Sequence, residues 1–158
     1  MTINEIGADC CVAAYHTIKA MKRNPAPSRE QLEQHYTAFA KQHGWTISRF
    51  YFDEGKDHAG LDKLIESCKS GEIDLVICMD HIHFGRNAKE LVRVAGELSG
   101  LEKPVGIWFE ESKMFTLDDA GKLMLTIMEV VTEEESRQRS MIMKNSWAAR
   151  QKKEVSHE

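Results

Sequence analysis

The alternation of apolar runs with amphipathic segments is the feature that most constrains the fold of this chain. Runs rich in β-branched and aromatic residues are each followed by a segment in which apolar residues recur at helical spacing. In order, the segments read CCVAAYHTI, SREQLEQHYTAFAKQHG, WTISRFYFD, GLDKLIESCKSG, DLVICMD, NAKELVRVAGELSGL and PVGIWFEE. This order is typical of parallel strands joined by crossover helices. It predicts an α/β fold with a central, mostly parallel sheet flanked by helices.

Local signals place several boundaries of these elements. Ser28 and Gln31 have the spacing of a capping box, which predicts the start of the first helix. Gly44 and Gly71 follow the expected ends of two helices, where glycine is favoured. The stretch RNPAP, residues 23–27, is predicted to be a loop.

The last element is predicted to be one long helix. From Asp118 to about Lys153 the chain has no proline, and Gly121 is its only glycine. Some 35 residues at 1.5 Å each give a helix of about 50 Å. Its first half is apolar on more than one face, whereas the sheet covers only one. We therefore expect self-association, with these residues in the interface: Met124, Ile127, Met128 and Val131.

Length and composition indicate a single domain over residues 1–158, in which residues 1–11 form an N-terminal extension. The 158 residues are 42% hydrophobic, which is enough to close one core. No apolar run approaches the roughly 18 residues needed to span a bilayer, so a cytoplasmic protein is expected. The cysteines, Cys10, Cys11, Cys68 and Cys78, lack CxxC spacing and do not suggest a disulfide framework.

The net charge of −4 hides a basic segment near the C-terminus. Six basic residues and no acidic ones lie between Arg137 and Lys153. Such a segment is often a solvated helix end, where the helix dipole favours cations. It is also compatible with an arm that lies along nucleic-acid phosphates.

Several strings, in this order, resemble the N-terminal catalytic domain of the serine recombinases, the family of resolvases, invertases and large serine integrases. They are VAAY at 12–15, YFDEG at 51–55, SGEIDLVIC at 70–78, FGRNAKEL at 84–91 and FTLDDAGKLMLTIMEVVTEEESRQRS at 115–140. The last is the most specific, because it is similar to the family's dimerisation helix. The resemblance covers residues 12–150 and implies a three-layer resolvase-like domain.

The resemblance also implies a catalytic mechanism. In the family, a serine at the end of the first strand attacks a DNA phosphodiester and forms a 5'-phosphoserine link without metal or ATP. Arginines stabilise the pentacovalent phosphate, since guanidinium stays charged and binds phosphate bidentately. The end of the long helix crosses DNA, where the following residues would meet phosphates: Lys144, Arg150, Lys152 and Lys153. The chain ends shortly afterwards, so no C-terminal DNA-binding domain is expected.

Most of the family's active-site residues are replaced in this sequence. The pattern Tyr-x-Arg-x-Ser becomes Tyr15-His-Thr17-Ile-Lys19, with lysine at the nucleophile position. The pattern Asp-Arg-x-x-Arg-Asn keeps only its final Arg-Asn, and a further arginine position has His58 nearest to it. The family positions are thus occupied by Thr17, Lys19, His58, Ile82, His83 and Arg86. We therefore expect no recombinase catalysis, and a role in dimerisation or in weak, non-specific DNA contact.

Other kinds of site on these residues are disfavoured. Lys19 is a poor nucleophile because a phosphate site stabilises its protonated form, and Ser28 lies at a helix cap. His81 and His83, with Asp80 and His58, have residue types that bind zinc, although the fold requires no metal. No glycine-rich loop follows the first strand, which disfavours a nucleotide site. Neither a metal nor a cofactor is expected.

Two hypotheses for function remain open. The first is an inactive recombinase-like domain that forms a homo-oligomer or pairs with an active recombinase. The second is an active phosphoryl-transfer enzyme whose site has been rebuilt, or made metal-dependent, from these residues: Lys19, His58, His83 and Arg86.

Overall fold

The computed structural model describes residues 2–19 and 25–156, with side chains as far as Arg150. A single 3-10 turn, Ile3–Glu5, precedes the first strand. The strands are β1 (Val12–Ile18), β2 (Ile47–Glu54), β3 (Leu75–Cys78), β4 (Gly106–Phe109) and β5 (Met114–Phe115). The helices are α1 (Arg29–Gln42), α2 (Ala59–Lys69), α3 (Ala88–Ser99) and α4 (Asp119–Ser156). The predicted α/β fold and the predicted order of elements are confirmed.

The five strands form one sheet in the order β2-β1-β3-β4-β5. The first four are mutually parallel, and β5 pairs antiparallel with β4. Because the carboxyl ends of β1, β2, β3 and β4 lie at one edge of the sheet, the loops that follow them are brought together there. The sequence did not predict β5, which has only two residues.

Helices cover both faces of the sheet, which gives three layers. On one face α2 and α3 enclose a cluster that includes Tyr15, Val76 and Phe84. On the other face α1 covers a cluster that includes Tyr36 and Ile77. Every residue of β1 and β3 is buried, as expected for parallel strands packed on both sides.

The predicted helix boundaries are confirmed where the structure describes them. Ser28 and Gln31 form the reciprocal capping box at the start of α1. Gly44 and Gly71 have φ of 76° and 81°, a left-handed conformation that glycine adopts without strain. Pro25–Pro27 are irregular, and positions 23 and 24 of the predicted loop lie outside the described residues.

Helix α4 leaves the domain after its first turns. Leu125 and Met128 pack partly against the α2–α3 cluster, whereas every residue from Glu133 to Arg150 is exposed. Large exposed apolar side chains lie along this helix: Leu123, Met124, Ile127, Val130, Val131, Met141, Ile142, Met143 and Trp147. None of the helices in the described ranges is long and apolar enough to cross a membrane.

Candidate functional site

The ends of β1 and β3 meet at the carboxyl edge of the sheet. The backbone N–H of Thr17 donates to the carbonyl of His83 at 2.8 Å. The ammonium group of Lys19 donates to the carbonyl of Ile82 at 2.6 Å. Direct contacts between the two strand ends therefore bring together four of the six family positions: Thr17, Lys19, Ile82 and His83.

Thr17 belongs to a buried hydrogen-bond network on the α2 side of the sheet. The Tyr15 hydroxyl donates to Asp53 Oδ2 at 2.8 Å and lies 2.8 Å from Thr17 Oγ1. Since the Tyr15 hydroxyl has one hydrogen, the threonine hydroxyl is the donor to Tyr15. Asp53 also accepts the backbone N–H groups of Gly60 and Leu61 at the start of α2. The Thr17 hydroxyl is therefore engaged inside the protein, and β1, β2 and α2 are joined through one carboxylate.

Gly60 allows α2 to approach this carboxylate. A Cβ atom at position 60 would lie 2.6 Å from the carbonyl oxygen of Phe52 and 2.9 Å from Asp53 Oδ1. Sequence reasoning assigned no role to Asp53 or to Gly60. In the sequence, Asp53 is the one acidic residue at the inward-facing positions of β2, and Gly60 follows at the start of the next helix.

Asp80 and His83 form a second, partly buried pair. Asp80 Oδ1 lies 2.7 Å from Nδ1 of the His83 ring and accepts the His83 backbone N–H at 2.9 Å. Burial alone would raise the pKa of Asp80, but the hydrogen bonds from His83 hold that pKa below its ordinary value. The carboxylate therefore fixes the orientation of the imidazole, as an aspartate does for a catalytic histidine.

His16 lies beneath this pair and is 2% exposed. Its ring stacks on that of His83, with 4.5 Å between centroids and 17° between planes. Its Nδ1 is 2.9 Å from the hydroxyl of Tyr36, which accepts the backbone N–H of Met79. Burial and the nearby His83 lower the pKa of His16 to about 4, so its ring is neutral at pH 7. No pattern in the sequence indicates this role, because His16 falls on an unspecified position of the family motif.

Arg86 and His58 are held by residues of their own segments. Arg86 Nε lies 2.9 Å from the mostly buried carboxylate of Glu90, and this contact raises the arginine pKa. The Asn87 side chain accepts the backbone N–H of Glu90 at 2.9 Å and caps α3. His58 precedes α2 and lies 2.8 Å from Asp62, on the exposed surface. The Arg-Asn pair thus has a structural role in starting α3.

The residues considered for zinc do not converge. His81 is exposed, His58 contacts Asp62, and Asp80 contacts only His83 among these residues. Across residues 2–19 and 25–150, no group of three or more histidine, cysteine, aspartate and glutamate side chains is placed to hold a metal ion.

The predicted DNA-contacting residues lie on the protruding half of α4. Arg137 and Arg139 of the basic segment pair with Glu134 and Glu135 at 3.4 and 3.8 Å. Lys144 and Arg150 are exposed. The side chains of Lys152 and Lys153 lie outside the described residues, although their backbone continues the helix.

The predicted interface residues divide between two sides of α4. Met124, Ile127 and Val131 are exposed, whereas Met128 is half-buried against the α2–α3 cluster. An apolar surface therefore remains uncovered on the side of the helix that faces away from the sheet.

The sequence matches the family model described as the resolvase N-terminal domain over residues 23–156, which is most of the chain. The chain therefore belongs to the resolvase family, the serine recombinases of DNA recombination. No curated protein matches it.

Two solved structures share the fold. The N-terminal catalytic domain of TP901-1 integrase is 20% identical, with a TM-score of 0.65 over 80% of this chain and 97% of that one. A resolvase-family site-specific recombinase from Streptococcus pneumoniae is 21% identical, with a TM-score of 0.65 over 87% of this chain and 95% of that one. The resemblance inferred from the sequence and the resolvase fold are thereby confirmed.

Proposed function

We propose that this chain is a resolvase-family domain that acts in DNA recombination or its regulation without cleaving DNA itself. The observation that carries this proposal is the end of β1, where the ammonium of Lys19 is bound to the Ile82 carbonyl at the position of the family's serine. An ammonium donates hydrogen bonds but has no free electron pair. It attracts phosphate but does not attack it.

The surroundings of Lys19 support the same proposal. Recombination through a phosphoserine requires a hydroxyl nucleophile, and the nearby Thr17 hydroxyl is buried and bonded to Tyr15. His83 replaces an arginine and is bonded to Asp80, so the bidentate guanidinium contact with phosphate is missing there. The remaining Arg86 pairs with Glu90. These residues would bind a phosphate weakly and leave its ester bonds intact.

The partners in this proposal are DNA and a second resolvase-type subunit. The uncovered apolar side of α4 would pack against another copy or against an active recombinase. The distal basic residues would meet DNA phosphates, with little dependence on sequence. Cytoplasmic localisation is part of the same proposal and is compatible with a role on DNA.

A test for covalent attachment addresses the central claim. The protein is incubated with supercoiled DNA and with nicked suicide substrates, denatured, and examined for a protein-linked 5' end. We expect no adduct from the wild type or from Lys19→Ala. An adduct that survives denaturation would contradict the proposal, and peptide mapping would then name the nucleophile.

A second candidate function is phosphoryl transfer by a rebuilt site with Lys19, His58, His83 and Arg86. The observation that favours it is the Asp80–His83 hydrogen bond, which orients an imidazole as in general-base catalysis. This candidate requires DNA nicking without an adduct, abolished by His83→Gln and retained by the exposed control His81→Gln. If supercoiled DNA stays intact with the wild type, with His83→Gln and with His81→Gln, this second candidate is excluded.

A further inference from the structure

Trp147 stands apart from the other tryptophans of the chain. Trp45 and Trp108 are 5% and 7% exposed, whereas Trp147 is 64% exposed and its neighbour Met143 is 72% exposed. Both lie on the protruding half of α4, where every residue from Glu133 to Arg150 is exposed. Two large apolar side chains in water are costly, so they point to a partner that covers them.

These two residues share one helix face with basic residues. Positions 139, 143, 147 and 150 follow one another at intervals of four, four and three, which places them on one side of an α-helix. The face therefore reads Arg139, Met143, Trp147, Arg150 over about 16 Å. Met141 and Ile142 project from a different side and continue the apolar stripe of the first half of the helix.

The charge of this segment identifies the partner class. Between Arg137 and Lys153 all six ionised side chains are basic, so the segment suits a polyanion. A flat indole between two guanidinium groups fits a DNA groove, where the cations meet phosphates and the ring contacts sugars or bases. A second copy of the same face would instead bring like charges together. Duplex DNA is therefore the occupant that the observations favour.

We propose that Trp147, with Met143 beside it and Arg139 and Arg150 flanking it, enters a DNA groove as an apolar wedge. This inference rests on the proposed DNA-associated function and adds its contact residue. The phosphate contacts set the salt dependence of binding, whereas the indole contributes affinity that salt changes little.

Intrinsic fluorescence can test the contact directly, because Trp147 is the one exposed tryptophan among the three. The full chain is titrated with duplex DNA at low salt while iodide quenching is recorded. DNA should protect the exposed indole from iodide, and Trp147→Phe should remove both the quenching and its protection. Trp147→Ala should weaken binding by about tenfold with the salt slope unchanged.

Matched variants separate the wedge from general effects. Ile142→Ala, on another face of the same exposed segment, should bind DNA like the wild type. Arg150→Gln should reduce the slope of affinity against salt by about one unit. Because this segment packs on nothing in residues 2–19 and 25–150, all four variants should keep the wild-type melting temperature.

The outcomes distinguish this inference from the proposed function. If DNA binds but Trp147 stays open to iodide and Trp147→Ala binds normally, the wedge is refuted and DNA association stands. If DNA does not bind at low salt, the DNA-associated role itself fails. Protection by anionic lipid vesicles instead of DNA, or by raised protein concentration alone, would also refute the wedge.

Discussion

His16 shows how one buried side chain makes the stability of this domain depend on pH. Tyr36 and His83 contact its ring directly, and Asp80, His35 and Lys19 act on its charge from nearby. Burial and the nearby His83 favour the neutral ring, which lowers its pKa from an ordinary 6.5 to about 4. Between these two values the unfolded chain binds the proton more tightly than the folded protein does. Acid therefore favours unfolding in this window.

We predict that the free energy of unfolding falls as the pH is lowered from about 6.5 to 4, by a total of roughly 3 kcal/mol from His16. Urea unfolding followed by circular dichroism at several pH values measures this loss. His16→Gln should flatten the profile, whereas the exposed control His81→Gln should not. An unchanged profile in His16→Gln would assign the effect to another group.

Asp80 acts in a separate, more acidic window. Because its pKa is lowered in the folded state, it stabilises the fold above its ordinary pKa, and this contribution is lost as the pH falls below about 4. The two groups can therefore be distinguished by the pH at which stability is lost.

Some residues of the site could be recognised from the sequence, and others could not. The family resemblance groups Thr17, Lys19 and His83 at one site, and in the structure two hydrogen bonds join the strand ends that carry them. The Tyr36 and Asp53 contacts were missed, because they depend on how α1 and α2 cross the sheet. The angle at which a helix crosses the sheet depends on packing between residues far apart in the sequence, so local patterns do not predict it.

At the scale of elements, two glycines within helices have opposite surroundings. Gly96 lies exposed in α3, and a Cβ atom there would meet nothing within 4 Å. Gly121 lies in the first turn of α4, where a Cβ atom would be 1.8 Å from the carbonyl oxygen of Phe115. The close approach of α4 to β5 therefore requires a residue without a side chain.

We predict that Gly96→Ala stabilises the protein by about 0.5–1 kcal/mol, because alanine favours the helix and fits without contact. Gly121→Ala should destabilise it, since α4 must shift away from β5. Thermal unfolding of the two variants beside the wild type provides the comparison. Equal effects from the two substitutions would contradict the described position of α4.

The pattern of the sequence predicted the long elements and not the short one. Strands β1 to β4 and all four helices have apolar periodicity, caps or glycine ends that act locally. Strand β5 has two residues and exists because Trp108 and Phe109 pair with Phe115 and Met114 across a turn. Such a pairing has no local signal.

At the scale of the whole molecule, α4 is much longer than the domain needs. Its first turns contact α3 and β5, and beyond them the helix exposes Ile127 and Val131 on the side away from the sheet. Both side chains would gain from burial against a second subunit. This surface is the basis of the proposed oligomer.

We predict that the wild type is a dimer or larger species at micromolar concentration, and that Ile127→Asp with Val131→Asp converts it to a monomer. Burying two carboxylates in an apolar interface would cost several kcal/mol. Sedimentation velocity measures the change. The control Ser136→Asp adds one charge on another face of α4 and should remain associated. A monomeric wild type would remove the basis for this interface.

Because Gly121 packs directly against the backbone of Phe115, the direction of α4 is determined close to its first turn. About 29 residues separate Gly121 from Arg150, which at 1.5 Å each is a lever of about 43 Å. A tilt of about 10° at this pivot would displace the far end by roughly 7 Å, about one width of the minor groove. The contact of Gly121 with Phe115, together with the packing of Leu125 and Met128, therefore sets the direction in which the protruding half of α4 points.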